Sequence, residues 1–171
     1  MPFYQRKRIR LLGLDYTQPN AYFITICTQN RVSLFGHINS KRMILNEAGQ
    51  LIHTTWHKIE DRFSIVSLDK FVTMPNHIHG ILWINLSTVE DNTSGTVSIS
   101  DVIHWFKTKT TFDYGQEVLV SGWAPYDKKL WQRSFYDRII RDTEELHRTR
   151  RYIRNNPVRW SLDKYYLEIE R

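Results

Sequence analysis

The sequence predicts a mixed α+β domain ordered strand, helix, strand, strand, helix, strand, with one further helix at its end. Three observations carry that order. Ala21-Tyr22-Phe23-Ile24-Thr25-Ile26-Cys27-Thr28 is rich in aromatic and β-branched residues and alternates toward its end, which predicts a strand. Residues 65–86 form two further runs of this kind around Met74-Pro75-Asn76, which predicts a hairpin, because Pro and Asn favour turns. Leu51, Ile52, Thr55, Trp56 and Ile59 recur at three- and four-residue spacing, which predicts a helix from about 46 to 60 behind Asn46.

The remaining elements follow in order. Ser100-Asp101 offers a cap for a second helix carrying Val102, Ile103, Trp105 and Phe106. Residues 130–141 read as a fourth strand. Asp142, with Glu145 three residues on, has the capping-box pattern of a helix start. That last helix runs to about Asn155 or Asn156, where Pro157 ends it, because a residue before proline is pushed away from the α region. Residues 87–99 and 113–130 read as loops, the second interrupted by Gly115, Gly122 and Pro125. Residues 1–14 read as a basic arm, and the tail to Arg171 has no clear pattern. The β-α-β-β-α-β order is the ferredoxin-like one, with an antiparallel sheet.

At 171 residues the chain is expected to form one domain, large enough for a hydrophobic core. Its single cysteine, Cys27, excludes a disulfide within the chain and a CxxC zinc site, and its apolar setting marks it as a core residue. No apolar run approaches the roughly 18–20 residues of a membrane span, and the charged N-terminus has no apolar signal region behind it. The expectation is a cytoplasmic protein with no membrane partner. The net charge of +6 is the footprint of a phosphate-rich partner, though a merely basic surface fits it equally.

Met74-Pro75-Asn76-His77-Ile78-His79-Gly80 is the stretch with chemistry in it. Residues i and i+2 of a strand share a face, so His77 and His79 would present two imidazoles side by side while Ile78 points into the core. Neutral imidazole is the commonest side-chain metal ligand. On the last helix Tyr152 and Asn156 are four apart and share a face. The Asn156 carbonyl oxygen would complete a three-ligand site with open positions, the catalytic kind, and Tyr152 would stand beside it as a nucleophile. Each signal alone has a plainer reading: paired histidines without metal, a packed aromatic, a helix terminator. With nine tyrosines in the chain, spacing does not select one.

Taken together these stretches resemble the single-tyrosine HUH transposase superfamily, and within it the REP-associated tyrosine transposases. The resemblance rests on Asp15-Tyr16 with residues 21–28, on Phe71-Val72-Thr73-Met74-Pro75-Asn76-His77-Ile78-His79-Gly80, on Trp131-Gln132-Arg133-Ser134-Phe135-Tyr136, and on Tyr152-Ile153-Arg154-Asn155-Asn156-Pro157. It implies a metal-dependent single-strand DNA endonuclease and strand transferase. His77, His79 and Asn156 would hold Mg²⁺ or Mn²⁺, and Tyr152 would form a covalent 5′-phosphotyrosine. Tyr136 is the internal rival, and lacks an amide partner one turn on. The substrate would be single-stranded or hairpin DNA, handled by a monomer or a homodimer. Basic residues expected to meet it are Arg6, Lys7, Arg8 and Arg10 in the arm, with Lys107, Lys109, Arg133, Arg150, Arg151 and Arg154 elsewhere. The alternatives are an HUH replication initiator or relaxase, a hairpin-binding protein that does not cleave, and a metal-binding protein with no DNA role.

Overall fold

The computed structural model describes residues 20–85 and 97–166. Strand β1 (Asn20–Cys27) is buried along almost its whole length. Tyr22, Ile24 and Ile26 join one apolar cluster and Ala21 and Phe23 another. A strand apolar on both sides belongs in the middle of a sheet covered on both faces. β1 accordingly pairs antiparallel with β5 (His77–Ile84) on one side and β6 (Tyr136–Ile140) on the other, and β4 (Val66–Thr73) lies outside β5. The order β4-β5-β1-β6 is that of a ferredoxin-like sheet. Helices α1 (Glu47–Arg62) and α2 (Ile99–Val120) cover the face of Tyr22, Ile24, Ile26, Ile78 and Leu82. Helix α3 (Thr143–Asn155) covers the other through Leu146 and Ile153, which pack with Phe23, Ile81 and Ile140. Burial of such side chains stabilises by roughly 1.5–3 kcal/mol each.

Two of the three helix starts follow their local signals and the third is shifted. The Asn46 side chain accepts the Gly49 N–H at 2.8 Å, and the Asp142 side chain accepts the Glu145 N–H at 2.7 Å. The cap of α2 is Ser98 instead of Ser100. Ser98 has an acid three residues on and the two bond reciprocally, whereas Ser100 is followed at that spacing by Ile103.

Three expectations are corrected. The loop expected over 113–130 begins only at Ser121, because α2 runs through Gly115. A helical glycine costs about 1 kcal/mol, and the buried stripe of Phe106, Thr110 and Tyr114 outweighs it; the Tyr114 hydroxyl also donates to the Ala124 carbonyl at 2.8 Å. The strand expected over 130–141 is only Tyr136–Ile140. Leu130 and Trp131 turn into the α1–α2 core, and Trp131 keeps a single bridge to Thr28. A two-stranded ribbon, β2 (Gly36–Asn39) with β3 (Arg42–Leu45), was not expected. Its turn places Ser40 and Lys41 at φ 47° and 63°, where the recognisable signal would be Asn-Gly. The arm over 1–14, with Arg6, Lys7, Arg8 and Arg10, lies outside the described residues, as do positions 87–96 of the first expected loop. No helix of the described residues is long and apolar enough to cross a membrane.

Gly80 tests the packing of α1 on the sheet. A Cβ there would lie 2.3 Å from the Trp56 ring, which is fully buried and stacked on Phe71. Gly80→Ala is expected to destabilise by about 1–3 kcal/mol, lowering the thermal midpoint by several degrees. At Gly115 an added Cβ would meet only the Tyr126 hydroxyl, at 3.6 Å, so Gly115→Ala is expected to raise the midpoint. Equal midpoints for the two variants would refute this packing.

Candidate metal and nucleophile site

The site forms on the α3 face of the sheet. His77 and His79 are both buried there, with their Nε2 atoms 3.1 Å apart. Their outer nitrogens are held from behind. Asn76 Nδ2 donates to the carbonyls of Arg31 (3.0 Å) and Tyr165 (2.8 Å), so its Oδ1 can only accept. That oxygen lies 2.8 Å from His77 Nδ1. His77 therefore carries its proton on Nδ1 and leaves the Nε2 lone pair free. His79 Nδ1 meets the Thr25 hydroxyl at 2.8 Å, a partner that can donate or accept.

Helix α3 brings in the rest. At the sheet edge, Asp69 and Arg150 pair through both carboxylate oxygens (2.5–3.0 Å) and fasten the helix to β4. The Tyr152 hydroxyl lies 3.2 Å from His79 Nε2, and the residue is 40% exposed. Asn156 sits at the helix end. Its Nδ2 donates to Asp163 Oδ2 at 2.9 Å, and its buried Oδ1 makes no well-formed hydrogen bond, although it lies near enough to His77 to favour that ring's charged form. After Pro157 the chain makes a short 3-10 helix (Pro157–Leu162) and folds back. This return places Asp163, whose carboxylate lies with the His77 and His79 nitrogens inside a 4.8 Å cluster. It also lays the Tyr165 ring 4.7 Å from His77.

Tyr152, His77, His79 and Asn156 are thus brought together as expected. Asp163, Asn76, Thr25 and Tyr165 were missed. One signal for Asp163 was available: it is the sole carboxylate between residues 146 and 167, a stretch with five arginines. Tyr136 shares the site's face opposite Thr25, but its ring meets Phe23 and the Lys164 ammonium, not a histidine.

Burial dominates the electrostatics. It pushes His77 down to about 4, against the raising influence of Asp163 and Asn156, and it pushes His79 well below the ordinary value of 6.5. Both rings are neutral at neutral pH. Burial, then the charge of Asp163, pushes Tyr152 up to about 12. The histidine shifts predict a pH effect. Unfolded histidine takes a proton near 6.5 and the folded rings resist it, so the folded state binds fewer protons between that pH and about 4. Their stabilisation is present above 6.5 and lost as pH falls through that window. In metal-free buffer the thermal midpoint should drop from pH 7 to 4.5. A midpoint that rises on acidification would refute this.

A cleft of about 770 Å³ opens beside Tyr152, Asn156 and Asp163, rimmed by Arg148, Arg151, Arg159 and Lys164. Of the basic residues expected to meet DNA, Arg151 alone lines it among the described residues. Arg133 and Arg154 are exposed elsewhere. Lys109 pairs with Asp113, Arg150 with Asp69, and Lys107 donates to the carbonyls of Gln132 and Arg133, so these three are engaged within the chain.

The chain is similar to known proteins along almost its whole length. A Haemophilus influenzae protein of uncharacterised function is 34% identical over 181 residues, covering 96% of this chain and 95% of that one. The structure of a REP-associated tyrosine transposase bound to a REP hairpin superposes with a TM-score of 0.58 at 19% identity, over 96% of this chain and 77% of that one. The crystal structure of a candidate transposase from Deinococcus radiodurans does so at 0.52 and 14% identity, over 85% and 97%. These two share the fold. Residues 18–156, which hold both histidines, Tyr152 and Asn156, match the family described as transposase IS200 like, and the chain belongs to that family.

Proposed function

We propose that the chain is a metal-dependent single-strand DNA endonuclease and strand transferase with Tyr152 as its nucleophile, acting beside a DNA hairpin. The observation that carries this reading is the Tyr152 hydroxyl, half-exposed at a basic cleft and 3.2 Å from the nitrogen of one of two neutral, convergent imidazoles. A divalent cation fits the donors present. The imidazole nitrogens are 3.1 Å apart, and two ligands at right angles about 2.1 Å from one ion stand about 3.0 Å apart. The buried Asn156 oxygen makes no well-formed hydrogen bond, and Asp163 adds a carboxylate, which suits Mg²⁺ or Mn²⁺. His77, His79, Asn156 and Asp163 would hold it.

Such a cation, when bound, supplies positive charge that polarises a non-bridging phosphate oxygen and favours the tyrosinate. The chain does the rest. Arg151, Arg159 and Lys164 receive the strand at the cleft, beside Arg148, which Glu144 already pairs. The Tyr152 oxygen attacks the phosphorus; the new O–P bond forms as the P–O3′ bond breaks. The tyrosine proton leaves to water in the open cleft, and the 3′ oxygen departs as a hydroxyl after taking a proton from water. The product is a 5′-phosphotyrosine with a free 3′-OH. That hydroxyl, or one from another strand, reverses the step and rejoins DNA. All these side chains come from one chain, so the chemistry needs no second copy. The hairpin held by the solved relative supports a hairpin as the structured part of the substrate.

The test uses end-labelled single strands from the flanks of the gene, incubated with protein and Mn²⁺ or Mg²⁺ and resolved on a denaturing gel. A metal-dependent adduct retaining the label on the 5′-phosphate side is expected. Hairpin binding with no adduct on any flank would favour the non-cleaving binder.

A further inference from the structure

A second groove lies on the other side of the sheet from the histidines. The outer stripe of α2 and the segment after it enclose about 690 Å³, lined by Lys107, Phe112, Tyr126, Lys128, Lys129 and Arg133 among others, and no carboxylate of the described residues lines it. Phe112 is 64% exposed. The wall is fixed, because the Lys107 ammonium donates to the carbonyls of Gln132 (2.6 Å) and Arg133 (3.1 Å). Lys128, Lys129 and Arg133 are exposed along it.

The groove starts near the reacting end of the sheet. The Gln132 N–H donates to the Cys27 carbonyl at 2.9 Å, and Cys27 pairs in register with His77. The groove wall is thus two strand spacings, about 10 Å, from the backbone of His77. The exposed Phe112 ring and the half-buried Tyr126 ring, between cations that have no ion-pair partner among the described residues, are the features that hold a single strand: bases stack on the rings and the cations neutralise phosphates.

We propose that this groove binds the single-stranded DNA flanking the cleavage point, with Phe112 and Tyr126 as stacking faces and Lys128, Lys129 and Arg133 on the phosphates. The proposal rests on the DNA reading above and places a second contact beyond the cleft. Lys128 supplies a clean probe. Its φ of +58° is one that glycine adopts freely, so Lys128→Gly removes a charge without straining the fold.

Binding of a fluorescein-labelled 15-residue oligothymidine is measured in EDTA across a salt series, with a blunt hairpin duplex as control. The triple variant Lys128→Gly, Lys129→Gln, Arg133→Gln should bind the oligothymidine at least about tenfold more weakly at 0.1 M salt. Its log–log salt slope should be shallower by about 2, at roughly 0.7 per lost phosphate contact. Phe112→Ser should cost about fivefold or more. Both variants should keep their thermal midpoint and their affinity for the blunt hairpin. Unchanged oligothymidine affinity, or an equal loss on the blunt hairpin, would overturn the groove. So would a dimer of the wild type that Phe112→Ser dissolves with DNA binding intact, since a second copy would then occupy it. Wild type that binds neither DNA would overturn the groove and the DNA reading together. Wild type that binds and forms the Tyr152 adduct, beside variants that bind alike, would overturn the groove alone.

Discussion

Tyr152→Phe is expected to lose the covalent protein–DNA adduct, by at least about a thousandfold, while keeping the fold and the affinity for DNA. Phenylalanine retains the ring that packs edge-on against Phe23, 5.9 Å between centroids, and removes only the oxygen that would attack phosphorus. The hydrogen bond to His79 that is lost is half-exposed, worth no more than about 1 kcal/mol. Two controls make the result specific. Tyr136→Phe should leave the adduct intact, since Tyr136 has no contact with either histidine ring among the described residues. Tyr165 is closer to His77 than Tyr152 is to His79 by ring centroids, 4.7 against 5.1 Å, so proximity alone does not choose between them. Access does: Tyr165 is 8% exposed and Tyr152 40%, and a phosphate has to reach the oxygen. An adduct that survives in Tyr152→Phe and disappears in Tyr165→Phe would reverse the assignment. In either case the phenol needs help, because burial and Asp163 hold Tyr152 near 12; EDTA should abolish the adduct in the wild type.

The parts of this site that periodicity controls were legible before folding. A two-residue spacing on a strand is enough to put His77 and His79 on one face, and a four-residue spacing on α3 is enough to stack Tyr152 over Asn156. The same alternation assigns Ile78 to the opposite core. The missed residues act through contacts that no period encodes. Asp163 and Tyr165 arrive because the chain turns back after Pro157, and nothing repeats in that tail to announce a return. Thr25 was read only as a strand residue, although strand pairing sets it opposite His79. Gly115 shows the converse: local propensity pointed to a loop, and the burial of Tyr114 decided for helix. The turn at Ser40 and Lys41 carries no Asn-Gly to announce the ribbon. Asn76 shows the difference most sharply, since its sequence context marks it as an ordinary turn residue.

Asn76 does two separable things, and two substitutions should divide them. Its Nδ2 satisfies two carbonyls, one before the ribbon and one in the returning tail, and its Oδ1 orients His77. Asn76→Ala removes both functions. Leaving two carbonyls without their donor should destabilise by on the order of 3 kcal/mol. Losing the partner of His77 Nδ1 should weaken Mn²⁺ binding by about 10–100-fold. Asn76→Asp keeps an acceptor for His77 Nδ1 but sets a carboxylate against the same two carbonyls. It should therefore destabilise at least as much as Ala in metal-free buffer. Yet it should hold Mn²⁺ better than Ala, because a carboxylate behind a ligand imidazole fixes the ring and raises its basicity. Thermal melting in EDTA reads the first effect and calorimetric titration with Mn²⁺ reads the second. If metal affinity followed stability through wild type, Ala and Asp in one order, Asn76 would act on the metal only by holding the turn. If Asp is the less stable variant and the tighter binder, the turn residue is also what aims the ligand.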